Sequence, residues 1–169
     1  MKEKYKKGNY PSKNLKFETY FEGSMFITKN YYDDKNGYIR ELIHVEDEVK
    51  EVKFFTPKGV LSKLEHFVKD KRHGVEKKYF IPKANNSVKT SKIYDDGKLH
   101  GESITYNEHD EIIKQEVYGV GKLTLKYLRK DNSIIGIKII DKDNIQNLPK
   151  IEYEKLQSKI EDNPHILID

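Results

Sequence analysis

Cysteine is absent from all 169 residues. That absence excludes disulfides, thiolate metal sites, thiol nucleophiles and the lipid-bearing cysteine of a bacterial lipoprotein. No run of about 18 apolar residues occurs, so no transmembrane helix is expected. The first stretch, MKEKYKKGNYPSKNLKFETYF, is basic but lacks the apolar centre of a secretory signal. With the initial Met1, this makes a cytoplasmic protein the expectation. Apolar residues are scarce at 36%, and charged residues match them at 36%, against about 25% charged in an ordinary globular domain. So polar a chain resembles a disordered one, which buries too little apolar surface to offset chain entropy. The 12 Tyr and 7 Phe argue the other way. A thin fold with a large surface reconciles the two facts, each strand showing an apolar or aromatic face and a charged one.

The chemistry-bearing motifs are missing as well. His44, His66, His73, His100, His109 and His165 form no HxH or HxxxH pair, so no compact metal motif is present. The stretch YGVGKL lacks both the third glycine of a dinucleotide loop and the Gly-Lys-Ser/Thr ending of a P-loop. No serine sits in a Gly-x-Ser-x-Gly elbow. Asp33-Asp34 and Asp95-Asp96 fall in turn-like stretches, where aspartate caps local N–H groups. No catalytic residue, cofactor or metal is therefore expected. An enzyme would need a concave site that sequence does not reveal.

What is present is alternation of period two. GYIRELIHV (37–45), KEVKFFT (50–56), VLSKLEHF (60–67), GVEKKYFI (74–81), SVKTSKIY (87–94), EIIKQEVY (111–118) and GKLTLKYL (121–128) are short runs rich in β-branched and aromatic residues. In 87–94, Val88, Thr90, Lys92 and Tyr94 share one face. In 121–128, Leu123, Leu125 and Tyr127 share one face, with Lys122, Thr124 and Lys126 on the other. Asn36-Gly37 suits a two-residue hairpin turn. Some ten or eleven strands with links of two to six residues must run antiparallel, because a parallel crossover needs about a dozen residues. The expected fold is mainly β, an elongated antiparallel meander of repeated hairpins over 17–146. It follows a basic arm at 1–16 and precedes a C-terminal helix and tail at 147–169. The helix is signalled by Asn147, Pro149 and Pro164, with Tyr153, Leu156 and Ile160 on one stripe.

The chain also repeats itself. FVKDKRHGVEKKY (67–79) and YDDGKLHGESITY (94–106) align without gaps 27 residues apart, a period typical of stacked repeats. The structural positions of this unit are Phe67, Gly74 and Tyr79, then Tyr94, Gly97, Gly101 and Tyr106, then Tyr118 and Gly121 in a weaker third copy. That copy has Leu125 where the second glycine would stand, and IPKANN (81–86) is an insertion, so irregular units are expected. These stretches resemble the bacterial MORN-repeat variant over residues 50–128, and more faintly over 17–49. The resemblance extends to YwqK-like antitoxins, and it implies a cytoplasmic, non-catalytic partner of a toxin.

Charge locates few partners. Residues 1–16 hold six lysines and one glutamate, leaving the rest of a +4 chain near −1. Nucleic acid is thus an unlikely partner, because its footprint needs a clustered patch on a folded surface. Lysines interleaved with tyrosines, as in EKKYF, read as the solvated face opposite an aromatic one. The expected partner is a cognate toxin. ELIHVEDEVKE (41–51) offers Glu41, Glu46, Asp47, Glu48 and Glu51 to a basic toxin surface. The alternative is a MORN-like scaffold or membrane-peripheral module that uses the basic arm on anionic lipid. The oligomeric state is not specified by the sequence.

Overall fold

The computed structural model describes residues 3–81 and 87–168, so most of the IPKANN insertion lies outside the described residues. The strands are β1 (Glu3–Asn9), β2 (Leu15–Glu22), β3 (Met25–Tyr31), β4 (Ile39–Glu46), β5 (Val49–Phe55), β6 (Leu61–Val68) and β7 (Lys71–Arg72). They continue with β8 (Gly74–Tyr79), β9 (Val88–Asp95), β10 (Lys98–Tyr106), β11 (Ile112–Gly119), β12 (Lys122–Lys130) and β13 (Ser133–Ile139). A 3-10 turn (Lys142–Asn147), helix α1 (Lys150–Asp162), a second 3-10 turn (Pro164–Ile166) and β14 (Leu167–Ile168) complete the described chain. All strands join one 14-stranded sheet in sequence order, with the two-residue β7 pairing only to β6. Every pairing is antiparallel except the last, where β14 lies parallel to β13. The expected meander is therefore what folds, and the alternating runs match strands to within one or two residues.

Two expectations at the chain ends are revised. Residues 3–9 of the lysine-rich arm form β1 and pair along β2, from Glu3 opposite Phe21 to Asn9 opposite Leu15. They are the first rung of the sheet. Asn147 does not cap α1; it sits in the 3-10 turn, and its side-chain amide donates to Asn144 Oδ1 at 2.8 Å. Helix α1 follows Pro149 directly.

The turns explain the repeat. Successive hairpins close with tight turns near residues 23, 47, 69, 96 and 120, all along one rim of the sheet. The described links at 10–14, 32–38, 56–60 and 107–111 are longer and line the other rim, which also carries the tight β12–β13 turn at 131–132. Lys69-Asp70 (φ 49° and 61°), Asp96-Gly97 (44° and 82°) and Val120-Gly121 (46° and 86°) put both central residues in the left-handed region, the turn whose twist matches that of flanking strands. Asn36-Gly37 is not such a turn. It lies in a longer loop held by Asp34 Oδ1, which accepts from the N–H groups of Asn36 at 2.8 Å and Gly37 at 3.0 Å.

Three of these tight turns are stitched to the hairpin before them. The N–H of Lys69 donates to the Glu48 carbonyl at 3.0 Å, that of Gly97 to Arg72 at 2.8 Å, and that of Gly121 to Leu99 at 2.7 Å. Arg72 and Leu99 occupy the same position of the repeat. The second glycine of each unit stands opposite an aromatic residue, Gly74 across from Tyr94 and Gly101 across from Tyr118. Both glycines are at positive φ, 81° and 112°. At each, the positive φ is one that glycine adopts without strain, and the side a Cβ would occupy borders His66 at Gly74 and Ile93 at Gly101. His73 and His100 also reach toward the next hairpin: His73 Nδ1 lies 3.2 Å from Asp95, and His100 Nδ1 accepts from the Val120 N–H at 3.2 Å.

Among the described residues, a second layer exists only at the C-terminal end. Val117, Leu125, Tyr127 and Ile137 on one sheet face pack with Leu148, Leu156 and Ile166 into the buried core. Of the expected helix stripe, Leu156 is buried and Ile160 partly so, while Tyr153 stays exposed. No helix among the described residues is long and apolar enough to cross a membrane.

This packing and these turns set two expected stability changes. Leu156→Ala should cost about 3 kcal/mol in urea denaturation, the usual cost of emptying a buried leucine site. Val120 is β-branched, exposed and at φ 46°, so Val120→Asn should stabilise the protein by about 1 kcal/mol, read as a rise in the thermal midpoint.

Candidate interaction surface

Cross-strand register assigns side chains to the two faces, because directly opposed residues point the same way. On the face that α1 covers, one row runs Lys7, Glu18, Lys29, Leu42, Lys53, Leu64, Lys77, Ser91, Ile104, Gln115, Tyr127 and Ile137. This helix face is covered over β10–β13. Over β2–β9 no element of the described residues lies on it. Leu42, Phe55, Leu64 and Tyr79 are only half-buried there.

The acidic stretch is divided by the fold. Glu46, Asp47 and Glu48 gather at the tight β4–β5 turn, where Glu46 accepts from Ser24 and Glu48 pairs with Lys69 at 3.3 Å. Glu41 faces the back of the sheet and accepts from Asn30 at 2.7 Å. Glu51 points to the helix face. Its carboxylate meets Lys53 at 2.7 Å, His66 Nε2 at 3.4 Å and His44 Nδ1 at 3.6 Å. Burial pushes this carboxyl up, but Lys53 and the two imidazoles outweigh it and leave it below the usual range. The five acids thus do not form one surface. Alternation separates Glu41 from Glu51, and sequence proximity hid this.

The back face carries a feature that sequence reasoning missed. Glu65, Glu76 and Glu116 are each only 5% exposed, although nothing in the sequence marks them apart from other strand glutamates. Lys63 lies 2.7 Å from Glu65 and 3.7 Å from Glu76, and Arg72 lies 3.0 Å and 3.9 Å from the same pair. Glu116 is held by Lys114 at 2.9 Å, Lys126 at 3.5 Å and the Tyr118 hydroxyl at 3.2 Å. Burial raises the Glu116 carboxyl, yet these donors bring it below its ordinary value. Cations also cap the rings on this face: Lys50 stands 4.6 Å from the centre of Phe67, Arg72 5.4 Å from Tyr94, and Lys63 5.6 Å from Phe54. The detectable signal was parity. Lys63, Lys78, Lys92, Lys114 and Lys126 all fall on the same side once the register is known.

A third polar cluster lies under α1. Glu152 is 4% exposed and its Oε2 is buried without a hydrogen-bond partner. Lys155 donates to Glu152 Oε1 at 3.0 Å and lies 3.9 Å from Glu102. Gln115 donates to Glu102 at 2.9 Å, and Arg129 to Gln115 at 2.7 Å. Burial pushes the Glu152 carboxyl up; Lys155 opposes this and Glu102 adds to it, and the net is a raised value. Burial, with Glu152 and Glu102 nearby, lifts the Tyr127 phenol to about 12. A depression of about 990 Å³ opens beside the helix, lined by Lys142, Asp143, Ile145, Gln146, Leu148, Lys150 and Tyr153. Among the described residues, no three His, Cys, Asp or Glu side chains are grouped to hold a metal.

The comparisons with known proteins are sparse. No protein-family model matches the chain, and no curated protein matches it. Among solved structures, part of the chain is similar to S. aureus TarM. One is a point mutant in complex with Fondaparinux, alpha-GlcNAc-glycerol and UDP, with 17% identity and a TM-score of 0.43 over 64% of this chain and 21% of that one. Another is a crystal structure of TarM, with 18% identity and a TM-score of 0.41 over 60% of this chain and 19% of that one. The chain therefore spans about a fifth of the length of TarM. At that distance the likeness carries no functional inference.

The buried acids under and behind the sheet have opposite linkage. Glu116, with a lowered value, stabilises the fold above the ordinary carboxylate range, and that contribution is lost as pH falls through it. Glu152, with a raised value, holds its proton more tightly folded than unfolded, so its ionisation destabilises the fold as pH rises. Glu152→Gln should raise the thermal midpoint by about 2–4 °C near neutral pH, with the gain vanishing near pH 4. A lower midpoint at neutral pH would mean that the Lys155 ion pair outweighs the burial cost.

Proposed function

We propose that this chain is a non-catalytic protein-binding module, an antitoxin or immunity protein that neutralises a cognate bacterial toxin. The observation that carries the reading is the helix face over β2–β9, a broad sheet surface with half-buried Leu42, Phe55, Leu64 and Tyr79 set among Lys29, Lys53 and Lys77. Apolar side chains rimmed by charge are the composition of a protein-docking surface. The hairpin repeat with its MORN-like wording supports the same reading. A single-layer sheet already has its backbone groups paired within the ladder, so a partner has only side chains to meet on this face. Specificity would then lie in which residues alternate along the row.

Coexpression with the product of the neighbouring open reading frame tests the proposal. That product should arrest growth alone and be neutralised by this chain. Leu42→Asp with Leu64→Asp should abolish the protection while leaving the circular dichroism spectrum unchanged. A neighbour that is harmless alone, or that stays toxic beside the intact chain, overturns the reading.

A further inference from the structure

We infer that the back face binds single-stranded nucleic acid through its phosphate backbone, without base selectivity. This goes beyond the toxin-binding reading and uses the opposite side of the sheet. Two rows define the surface. One runs Glu76, Lys92, Ser103, Glu116, Lys126 and Lys138 across β8–β13. The other, two residues further along the strands, runs Phe54, Lys63, Lys78, Thr90, Thr105 and Lys114 from β5 to β11.

Together they place one lysine on each of β6, β8, β9, β11, β12 and β13, switching between the rows. Only β10 breaks the series, with buried Ser103 and half-buried Thr105 standing in the two rows. With strands about 4.8 Å apart, this track is about 29 Å long, and its successive cations stand about 5–8 Å apart except across β10. That spacing is commensurate with the phosphates of an extended strand. A narrow track of this kind fits a linear polyanion better than the broad surface of an acidic protein domain.

The carboxylates on the face do not cancel the track. Glu65, Glu76 and Glu116 are 5–6% exposed, whereas Lys114 and Lys126 are 57% and 41% exposed. What reaches solvent is cationic, and the buried acids fix where the ammonium groups stand. Three aromatic rings beside the track, Phe67, Phe54 and Tyr94, are capped by Lys50, Lys63 and Arg72. The cations that cover these rings compete with base stacking, which is why the binding should ignore sequence. The near-neutral sum of residues 17–169 concealed this asymmetry, because alternation sends neighbouring charges to opposite faces.

The test is fluorescence anisotropy of the full chain with labelled rU15 and rA15 at low salt. Binding should fall at about 10⁻⁶–10⁻⁴ M, with the two oligonucleotides within about threefold, and log affinity should fall with log salt at a slope near −3. Reversing Lys78, Lys92 and Lys126 to Glu should weaken binding at least about thirtyfold and flatten the slope. The milder Lys-to-Gln triple serves if the first variant fails to fold. A charge-matched triple on the helix face, Lys53, Lys77 and Lys89 to Glu, should retain affinity within about threefold. Absence of binding at about 1 mM, equal loss in both triples, or binding of poly-L-glutamate as tight as that of rU15 would each overturn the assignment. The last outcome would make the face a dock for acidic protein.

Discussion

Backbone pairing between consecutive strands is the constraint on which the rest of this molecule depends, because over most of its length the sheet has no second layer. A hairpin alone is marginal in water, and the 36% apolar content does not supply a thick core. Each hairpin must therefore borrow stability from its neighbours. The stitches from Lys69 to Glu48, Gly97 to Arg72 and Gly121 to Leu99 do this at the rim. They require a turn whose central residues take positive φ, met by Lys69-Asp70, Asp96-Gly97 and Val120-Gly121. Within the sheet, each glycine at positive φ stands opposite an aromatic residue of the next strand, Gly74 across from Tyr94 and Gly101 across from Tyr118.

Ion pairs take over where apolar packing thins. On the back face three glutamates are almost fully buried with no helix above them. What covers them is the aliphatic length of flanking lysine and arginine side chains, whose charged ends also neutralise them. Removing a cation would leave a carboxylate stranded, so such clusters are costly to break, though they need not exceed an apolar packing in stability. Glu116 and Glu152 show both sides of this. Glu116 has two lysines and a phenol and is stabilised in its charged form, while Glu152 has one lysine and faces Glu102, and its charge is disfavoured.

Much of the fold was legible because its signals are local. Period-two alternation located the strands β4–β6, β8, β9, β11 and β12, and short links forced antiparallel order. The Pro149 and Pro164 boundaries bracketed α1, and Leu156 does lie on its packed stripe. Other features depend on non-local partners and were not legible. Whether Glu3–Asn9 forms a strand depends on β2 offering an edge. The parallel β14 needs α1 to carry the chain back past Ile137. Glu152 lies on the buried side of a helix whose apolar spacing gave no place to an acid. The repeat was seen at 27 residues, whereas the tight turns recur closer to two dozen apart. The well-aligned pair is the one that spans the 80–87 link, so it was the atypical interval.

The same alternation explains why the acidic stretch misled and why the basic track went unseen. Along a strand, adjacent residues point to opposite faces except at bulges, so a local count of charge averages two surfaces that no partner touches together. Glu41 and Glu51 add in the sequence and separate in the sheet; Lys63, Lys78, Lys92 and Lys126 are scattered in the sequence and converge in the sheet. In a one-layer fold this has a further consequence. A substitution on one face alters no side chain on the other, and the ladder that joins them is made of backbone. Two surfaces of different chemistry can therefore diverge on one scaffold without either constraining the other, provided the turn residues and the glycines at positive φ are kept.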